Sequence, residues 1–464
     1  MPVSRSIEPA SCRPVSLLES TILRIMSIAP ELSIEARWIL PMTEPDRVLE
    51  HHALLIANGR ILDILPQDEA ARRHPQVPRV VRPAHLLMPG LINAHTHAAM
   101  SLFRGLAEGL PLQRWLSEKI WPLERRMVDA RFVRDGSLLS MAEMLRAGIT
   151  CFADMYLFPD ETAKIVAEQG LRARIGLPVA DFPSPWAQEP AEYLGKALEV
   201  RDAFKGHPRI DCAFAPHAPY SVSDATIERI RTLADELDAP IAIHLHESAQ
   251  EIAESLRRHR VRPIERLQRL GLLGPTLNAI HMTHVSPADM ELARLSRISV
   301  TLCTESNLKL GNGAPPVRDW TRSELAVGLG SDGPASNNDH DLWLEIRLAA
   351  LLARACGDEP PALTPWSALA LATRGSAAAL GLAEHVGTLA PGKWADLCCV
   401  DFDRPAMQPV YDPVAQLVFS GGRDCVSDVW VAGRPLLEAG ELTRLDWPAV
   451  RARAQEWARR MSQG

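Results

Sequence analysis

The sequence lacks the features that define several classes of protein. No apolar run approaches the roughly 18 residues that a membrane-spanning helix needs. The chain has 50 basic and 57 acidic residues, and so a net charge of −7. It therefore shows no basic excess of the kind that binds nucleic acid or anionic membranes. We expect neither nucleic acid nor membrane among its partners.

Closely spaced cysteine pairs are also missing. The eight cysteines are scattered along the chain and form no Cys-x-x-Cys motif. Most of them lie within apolar, strand-like segments, where a thiol behaves as a small hydrophobic side chain. We interpret them as buried, reduced thiols, which is typical of a cytoplasmic protein.

The first 28 residues lack a periodic hydrophobic pattern. Their apolar stretch, Leu17–Ile28, is interrupted by Glu19 and Arg24, whereas a secretory signal needs an uninterrupted apolar core and a small-residue cleavage site. Met26 offers an alternative start. We interpret residues 1–28 as an extension outside the fold, and expect it to be disordered.

The length and the hairpin signals indicate a large domain with a smaller β domain beside it. A chain of 464 residues is too long for a single small core. Asn58-Gly59 separates two apolar runs near the start, and Ala432-Gly433 follows an apolar run near the end; both patterns predict β-hairpins. We predict a β-sandwich built from both chain ends. The predicted division is an extension at 1–28, the N-terminal portion of the β-sandwich at 29–88, a barrel at 89–385, the C-terminal portion of the β-sandwich at 386–440 and a C-terminal helix at 441–464.

The middle of the chain repeats a unit of one strand and one helix. Its strands are short, apolar and continuous, which indicates a parallel sheet that is buried on both faces. Eight such units over about 250 residues are typical of an α/β (β/α)8 TIM-like barrel, in which the chemistry lies at the C-terminal ends of the strands. The predicted strands are 91–97, 149–155, 172–180, 210–218, 240–247, 277–285, 298–306 and 325–333.

Polar residues occur where these strands end. His95 and His97 are two residues apart on an extended segment, so their side chains point the same way and can reach one metal ion. Each of these residues alone is more easily explained as a polar strand terminus, but the set favours a metal site. Its other members are His217, His244, His281 and Asp332.

This order of ligand-type residues, with the segments around them, resembles the amidohydrolase superfamily. It is most similar to the branch of 5'-methylthioadenosine and S-adenosylhomocysteine deaminases, beside the triazine hydrolases, and the resemblance spans about residues 30–440. The segments that carry it are Asn93-Ala-His-Thr-His97, Arg104-Gly105, Pro216-His-Ala-Pro-Tyr220, Glu305-Ser-Asn-Leu-Lys-Leu-Gly-Asn-Gly313 and Gly330-Ser-Asp-Gly-Pro-Ala-Ser-Asn-Asn338.

The resemblance implies a set of metal ligands. His95, His97, His244 and Asp332 would bind one divalent metal ion, for which zinc is expected because imidazole and carboxylate are suitable zinc donors. Ligand type alone leaves iron and manganese open. Two-metal relatives use a bridging lysine on strand four, and the segment Ile210–His217 contains no lysine, so a single ion is favoured.

The resemblance also implies the roles of the remaining site residues. Glu247 would carry protons as general acid and base, and it could otherwise be a carboxylate at a helix N-terminus. His281 and Asp332 would orient and deprotonate the attacking water. Substrate contacts are implied for His217, Trp115 and Glu124, in addition to Glu247: His217 on the ring or ribose, Trp115 by stacking and Glu124 on the ribose hydroxyls.

Two other metalloenzyme motifs are absent. His246-Glu247 begins like the His-Glu-x-x-His motif but lacks its second histidine, and the His-x-Glu and Pro-Cys-x-x-Cys pair of cytidine deaminases does not occur. The hypotheses that stay open are a deaminase of an adenosine-type nucleoside, a hydrolase or deaminase of another aminated heterocycle (triazine, guanine-like or pyrimidine), and a barrel that has lost activity. A homo-oligomer is expected.

One departure from the relatives bears on the substrate. Enzymes that accept S-adenosylhomocysteine are expected to hold its amino-acid tail with arginines in and after strand three, and here Leu177 replaces one of them, with no further arginine up to Trp186. An apolar rim of Leu177, Phe182 and Trp186 suits a methylthio group better than a zwitterion. We therefore expect 5'-methylthioadenosine to be preferred, with S-adenosylhomocysteine or adenosine as weaker substrates.

Overall fold

The computed structural model of the protein describes residues 29–355 and 363–463. The predicted extension at 1–28, with Cys12, and also Cys356 lie outside these residues. The six cysteines within them are buried and form no disulfide. None of the helices in this portion of the chain combines the length and the apolar content that a membrane crossing requires.

The strands are numbered in chain order within the described residues. They are β1 Leu32–Ile39, β2 Leu49–Ala57, β3 Arg60–Pro66, β4 Arg79–Pro89, β5 Leu91–Thr96, β6 Ile149–Met155, β7 Arg172–Val179, β8 Ile210–Pro216, β9 Ile241–Leu245, β10 Leu277–His281, β11 Ser299–Leu302, β12 Val327–Leu329, β13 Leu397–Asp401, β14 Val426–Val431, β15 Arg434–Glu438 and β16 Glu441–Leu442.

The α-helices are numbered in the same way. They are α1 Gln67–Arg73, α2 Leu112–Trp115, α3 Trp121–Met127, α4 Ala130–Arg146, α5 Pro159–Gln169, α6 Pro190–Phe204, α7 Asp224–Leu237, α8 Ala249–His259, α9 Pro263–Arg269, α10 Pro287–Ser296, α11 Thr304–Lys309, α12 Val317–Arg322, α13 Leu342–Ala355, α14 Pro365–Ala370, α15 Ser376–Ala379, α16 Pro413–Phe419 and α17 Trp447–Ser462. Short 3-10 segments cover Ala98–Phe103, Pro405–Met407 and Arg423–Cys425, and π segments cover Leu116–Ile120 and Leu371–Gly375.

Strands β5 to β12 form one parallel sheet in sequence order, which confirms the predicted barrel. Strand β5, for example, is buried along its whole length. Helices cover the outer face of such a sheet, and side chains of the other strands fill the inside of the barrel. The first and last strands meet where the N–H of Asp332 donates to the carbonyl of His95, at 3.0 Å. This contact brings the polar ends of β5 and β12 together.

The other eight strands form a second sheet from both chain ends, as predicted. Strand β13 pairs with β4, and so joins the C-terminal hairpins to the N-terminal ones. Asn58 and Gly59, in the β2–β3 turn, have φ of 51° and 72°, as a two-residue hairpin requires. The predicted limits of the domains stay predictions.

Gly90 connects the two sheets, between β4 and β5. A Cβ at this position would lie 2.1 Å from the Cγ2 of Thr150, so only glycine allows the chain to pass β6 this closely. Its N–H donates to the carbonyl of Asp396 at 3.0 Å. The strand that carries His95 therefore enters the barrel in a fixed position.

Candidate metal centre and active site

The predicted metal ligands come together at one rim of the barrel. His95 is on β5, His97 follows it, His244 is on β9, and Asp332 lies three residues after β12. The carboxyl ends of parallel strands meet at a common rim, which is why residues so distant in sequence converge. His281, at the end of β10, and His217, directly after β8, lie at the same rim.

The ligand-type atoms are separated by hydrogen-bond distances or little more. Asp332 Oδ1 lies 3.4 Å from His95 Nε2 and 3.2 Å from His97 Nε2. The Nε2 atoms of His95 and His244 are 3.2 Å apart. One ligand atom from each of His95, His97 and Asp332 lies within 4.8 Å of the others, and the same holds for the trio His95, His244 and His281.

Main-chain carbonyls orient two of the imidazoles. The Nδ1 of His97 donates to the carbonyl of Met155 at 2.5 Å, and the Nδ1 of His244 donates to that of His217 at 2.7 Å. A carbonyl can only accept, so Nδ1 carries the hydrogen and the lone pair of Nε2 faces the cluster. This is the outer-shell arrangement that metal-binding histidines use.

The carboxylate of Asp332 is held by three donors. Its Oδ1 accepts from the N–H of Gly333 at 2.8 Å, and its Oδ2 accepts from the hydroxyls of Ser306 and Ser336 at 2.6 Å and 3.0 Å. Burial alone would raise the pKa of Asp332, but its contacts with the imidazoles of His95 and His97 hold that pKa well below its ordinary value. Asp332 is therefore ionised at neutral pH.

Three histidines near this carboxylate are neutral at neutral pH. Burial lowers the pKa of both His217 and His281 to about 4. Burial and the neighbouring imidazoles lower the pKa of His244 well below its ordinary value. Neutral imidazoles offer lone pairs to a metal ion or hydrogen bonds to a substrate ring.

Glu247 lies in the loop between β9 and α8, beside the cluster. The residue is 6% exposed, and its Oε1 accepts from Asn312 at 3.2 Å. Its Oε2 lies 3.8 Å from His281 Nε2. Burial, with the charges of Asp332 and Glu251, raises the pKa of Glu247 well above its ordinary value. A carboxyl group in such a position gives up its proton less readily than one in water.

Glu251 fixes the backbone that carries Glu247. Its carboxylate accepts from the N–H of His246 at 3.0 Å and from the N–H of Glu247 at 2.8 Å. Ser248 begins helix α8 by accepting from the N–H of Glu251 at 3.2 Å, so Glu251 belongs to the first turn of that helix. The position of Glu247 is therefore set by the start of α8.

A cavity of about 450 Å³ opens above the cluster. Its floor includes His97, His217, His244, Glu247 and Asp332. The sequence-predicted Trp115 and Glu124 both line its wall. The apolar portion of the wall includes Leu112, Leu116, Ile120, Trp121, Pro178, Val179, Phe182 and Pro183.

Of the three residues predicted to form an apolar rim of the cavity, one lines it. Phe182 lines the cavity, and its ring centroid lies 5.8 Å from that of Trp121. Leu177 is fully buried in the main hydrophobic core, and Trp186 packs on Tyr193 with ring centroids 5.7 Å apart. Neither is among the described residues that line the cavity. On β7, Leu177 lies one residue before Pro178, which does line the cavity, and successive side chains of a strand point to opposite faces.

Three lining or supporting residues were missed from the sequence. Tyr156 directly follows β6, and Arg125 follows Glu124 on α3; both line the cavity. Asn312 contacts Glu247. Tyr156 could have been found by asking which polar residue ends each strand, but Arg125 and Asn312 come from a short helix and a loop that have no such signal.

Comparisons with known proteins agree with this geometry. The sequence profile of the amidohydrolase family matches residues 86–436. The chain is 44% identical over 431 residues to a 5-methylthioadenosine/S-adenosylhomocysteine deaminase of Teredinibacter turnerae, covering 93% of this chain and 98% of that protein.

Solved structures extend the comparison. An adenosine deaminase from Xanthomonas campestris with bound zinc has a TM-score of 0.93 and 43% identity, covering 94% of this chain and all of that one. An atrazine chlorohydrolase from Arthrobacter aurescens, complexed with zinc, has a TM-score of 0.85 at 22% identity, covering 92% of this chain and 99% of that one; it shares the fold. The chain belongs to the amidohydrolase family.

Proposed function

We propose that the protein hydrolytically deaminates an adenosine-type nucleoside, with 5'-methylthioadenosine as the preferred substrate and 5'-methylthioinosine and ammonia as products. The observation that carries the proposal is the position of Glu247, a buried carboxyl beside the His–Asp cluster on the floor of a largely apolar cavity. The Teredinibacter turnerae relative and the Xanthomonas campestris structure, both named as deaminases, support it.

A single divalent ion, zinc, is the cofactor that fits the donor set. His97 and His244 present the lone pairs of Nε2 to the cluster, and Asp332 presents an ionised oxygen. Three imidazoles, counting His95, and one carboxylate are suitable zinc donors. When bound, the ion lowers the pKa of a coordinated water to about 7 and so supplies the nucleophile at neutral pH. The bound zinc of the Xanthomonas campestris structure supports this choice.

Side chains of the protein would transfer the protons of the reaction. Water adds to C6 of the purine ring while Glu247 passes a proton to ring nitrogen N1, as a general acid. His281, 3.8 Å from Glu247, and Asp332 would accept the proton that the attacking water loses. Glu247, now ionised, takes the remaining proton from the hydroxyl of the C6 adduct and gives it to the departing amino group, so that the C6–N bond breaks, C6 becomes a carbonyl and ammonia leaves. The proton held by His281 or Asp332 then returns to Glu247. In the net reaction, oxygen from water replaces the 6-amino group of the purine, which leaves as ammonia.

The cavity wall would select the nucleoside. His217, with a pKa of about 4 and its Nδ1 3.0 Å from the hydroxyl of Ser221, can hydrogen-bond the purine or ribose as a neutral group. Trp115 and Glu124 line the wall where they can contact the base and the sugar. The apolar residues around Phe182 would receive the methylthio group.

An ultraviolet absorbance assay tests the proposal. Purified protein would be incubated with 5'-methylthioadenosine, adenosine, S-adenosylhomocysteine, guanine and an amino-triazine. Loss of the adenine absorbance and release of one ammonia per nucleoside are expected. Turnover of guanine or triazine without any nucleoside would favour the alternative, a hydrolase of another aminated heterocycle, and inactivity on all five with metal bound would favour the inactive barrel. A homo-oligomer and a cytoplasmic location stay predictions.

A further inference from the structure

Asn312 contacts Glu247 from behind the wall of the cavity. It lies in the loop between α11 and α12, is 7% exposed, and is not among the described residues that line the cavity. Its side-chain amide donates to Oε1 of Glu247 at 3.2 Å. The other oxygen, Oε2, lies 3.8 Å from Nε2 of His281, which does line the cavity. The two oxygens of Glu247 therefore have different surroundings.

The backbone of Asn312 is held on both sides of its side chain. Its N–H donates to the carbonyl of Asn307 at 2.8 Å. Its carbonyl lies 2.6 Å from Nε2 of His284, and because a carbonyl can only accept, this nitrogen carries the hydrogen. Neither bond involves the side chain of Asn312. A change of that side chain therefore leaves the loop attached at both points.

His284 also holds the backbone next to Glu247. Its N–H donates to the carbonyl of His246 at 2.9 Å, and Nδ1 of His246 donates to the carbonyl of His284 at 3.1 Å. One residue thus binds the main chain of Asn312 and the main chain beside Glu247. His284 is likewise not among the described residues that line the cavity. It therefore fixes the amide relative to the carboxyl group without touching the substrate.

The amide of Asn312 makes the two oxygens of Glu247 chemically unequal. An amide N–H can only donate, so the oxygen that it contacts serves as an acceptor, and the carboxyl hydrogen is favoured on the other oxygen. Burial raises the pKa of Glu247, and the hydrogen bond from Asn312 opposes that rise. We propose that Asn312, held in place by His284, is a positioning residue whose amide binds Oε1 so that Oε2 transfers the protons of the reaction. This inference rests on the proposed deaminase function.

The experiment compares Asn312→Ala and Asn312→Asp with the parent enzyme on 5'-methylthioadenosine. Both variants lose the N–H that reaches Glu247, and aspartate keeps the shape of asparagine. We expect kcat to fall roughly 10- to 100-fold, the effect of one hydrogen bond to a charged group. KM should stay close to that of the parent, because Asn312 is not among the residues that line the cavity, and metal content should be unchanged. An unchanged kcat, a loss that appears in KM, or a loss of metal would overturn the assignment.

A double variant tests whether Asn312 acts through Glu247. If it does, adding Asn312→Ala to Glu247→Gln should cause little further loss of kcat, because the shuttle that Asn312 positions is already gone. Losses that multiply would show two independent effects. A parent enzyme that deaminates no nucleoside would contradict the proposed function, whereas an active parent with multiplying losses contradicts only the role of Asn312.

The matched control is Asn338→Asp. The amide of Asn338 also donates to a glutamate, Glu108, at 2.9 Å, but neither residue is among the described ones that line the cavity. The same change of charge there should leave kcat near that of the parent. A loss equal to that of Asn312→Asp would indicate a general effect of charge and would contradict the proposal.

Replacement of His284 gives a second readout. His284→Ala removes the donor to the carbonyl of Asn312 and should lower kcat with little change of KM. His284→Gln can place an amide N–H near the position of Nε2 and should recover much of the rate. A glutamine variant no faster than the alanine variant would show that the imidazole does not act through this bond, and would overturn the proposed role of His284.

Discussion

The Nδ1 atom of His244 lies 2.7 Å from the main-chain carbonyl oxygen of His217. The two residues come from neighbouring barrel strands, β9 and β8, so the backbone of one strand fixes the ring of the other. Because the acceptor is a carbonyl, the hydrogen must be on Nδ1, and Nε2 is left for a metal ion. The same contact places the imidazole of His217 next to that of His244, with ring centroids 5.1 Å apart.

The first prediction concerns metal content. Dialysed protein should contain about one equivalent of zinc per chain, and Asp332→Ala should lose both the metal and the activity because it removes the one charged ligand. Inductively coupled plasma mass spectrometry measures the metal. His385→Ala, at an exposed histidine far along the chain, is the control and should keep both. Two equivalents in active protein would contradict the single-ion proposal.

The second prediction concerns the proton shuttle. Glu247→Gln keeps the size of the side chain but cannot transfer protons, so kcat should fall about 10²–10⁴-fold while metal content is unchanged. Steady-state kinetics with 5'-methylthioadenosine measure the effect. Glu254→Gln, on α8 and paired with Arg257 at 2.7 Å, should keep the parent rate. A Glu247→Gln enzyme within a few fold of the parent would assign the shuttle to another residue.

The third prediction concerns the substrate tail. The apolar wall should favour 5'-methylthioadenosine over S-adenosylhomocysteine by about tenfold or more in kcat/KM, since the charged tail is partly desolvated. Among the residues that line the cavity in the described chain, Arg125 is the one arginine, and it could pair with the tail carboxylate. Arg125→Gln should therefore lower efficiency on S-adenosylhomocysteine several-fold further, with a much smaller effect on 5'-methylthioadenosine.

The control for that prediction is the adjacent arginine. Arg126 is not among the described residues that line the cavity, so Arg126→Gln should leave the ratio of the two efficiencies as in the parent. An equal effect of both variants would indicate a general change of surface charge. Equal efficiency of the parent on the two substrates would show that the apolar wall does not discriminate between them.

The fourth prediction concerns the second sheet and its pH dependence. Asp428, on β14 and fully buried, pairs with Arg82 of β4 at 2.6 Å. Burial would raise the pKa of Asp428, but the hydrogen bond from Arg82 lowers it below its ordinary value. The folded-state pKa is thus lower than that of the unfolded chain, so the pair stabilises the protein at neutral pH and loses its effect as the pH falls below about 4.

Asp428→Asn should lower the free energy of unfolding by about 3 kcal/mol at pH 7, because the Arg82 charge is left without its partner. Urea unfolding at pH 7 and at lower pH values measures the difference from the parent, which should shrink as the pH falls. Glu291→Gln removes an exposed ion pair with Arg294 and should leave the midpoint essentially unchanged. A difference that grows on acidification would contradict the assigned pKa direction.

Much of the site could be predicted from the sequence because of where its residues stand in the repeat. His95, His97, His244, His281 and Asp332 each lie at or just beyond the end of an apolar strand. In a parallel barrel all such ends meet at one rim, so recognising the repeat was enough to predict that they come together. The hairpins at Asn58-Gly59 and Ala432-Gly433 were predictable for a local reason, since each turn depends on its own two residues.

The rim of the cavity was predicted less well. Leu177 was placed there because it stands where relatives that accept S-adenosylhomocysteine are expected to have an arginine, but a difference of one residue along a strand turns the side chain to the opposite face. The structure buries Leu177 in the core, whereas Pro178, the next residue on β7, lines the cavity. Arg125 and Asn312 reach the site from a short helix and a loop, whose courses depend on packing rather than on a repeat.

The sequence by itself determined the barrel, the sheet from both chain ends and the set of metal-type ligands, because these follow from hydrophobic periodicity and from residues at strand ends. Only the tertiary structure decided which donor or acceptor holds each ligand: the carbonyl of His217 for His244, and the carbonyl of Met155 for His97. Backbone carbonyls are present at every residue, so no sequence pattern marks the ones that orient a ligand; only the distances in the folded chain do.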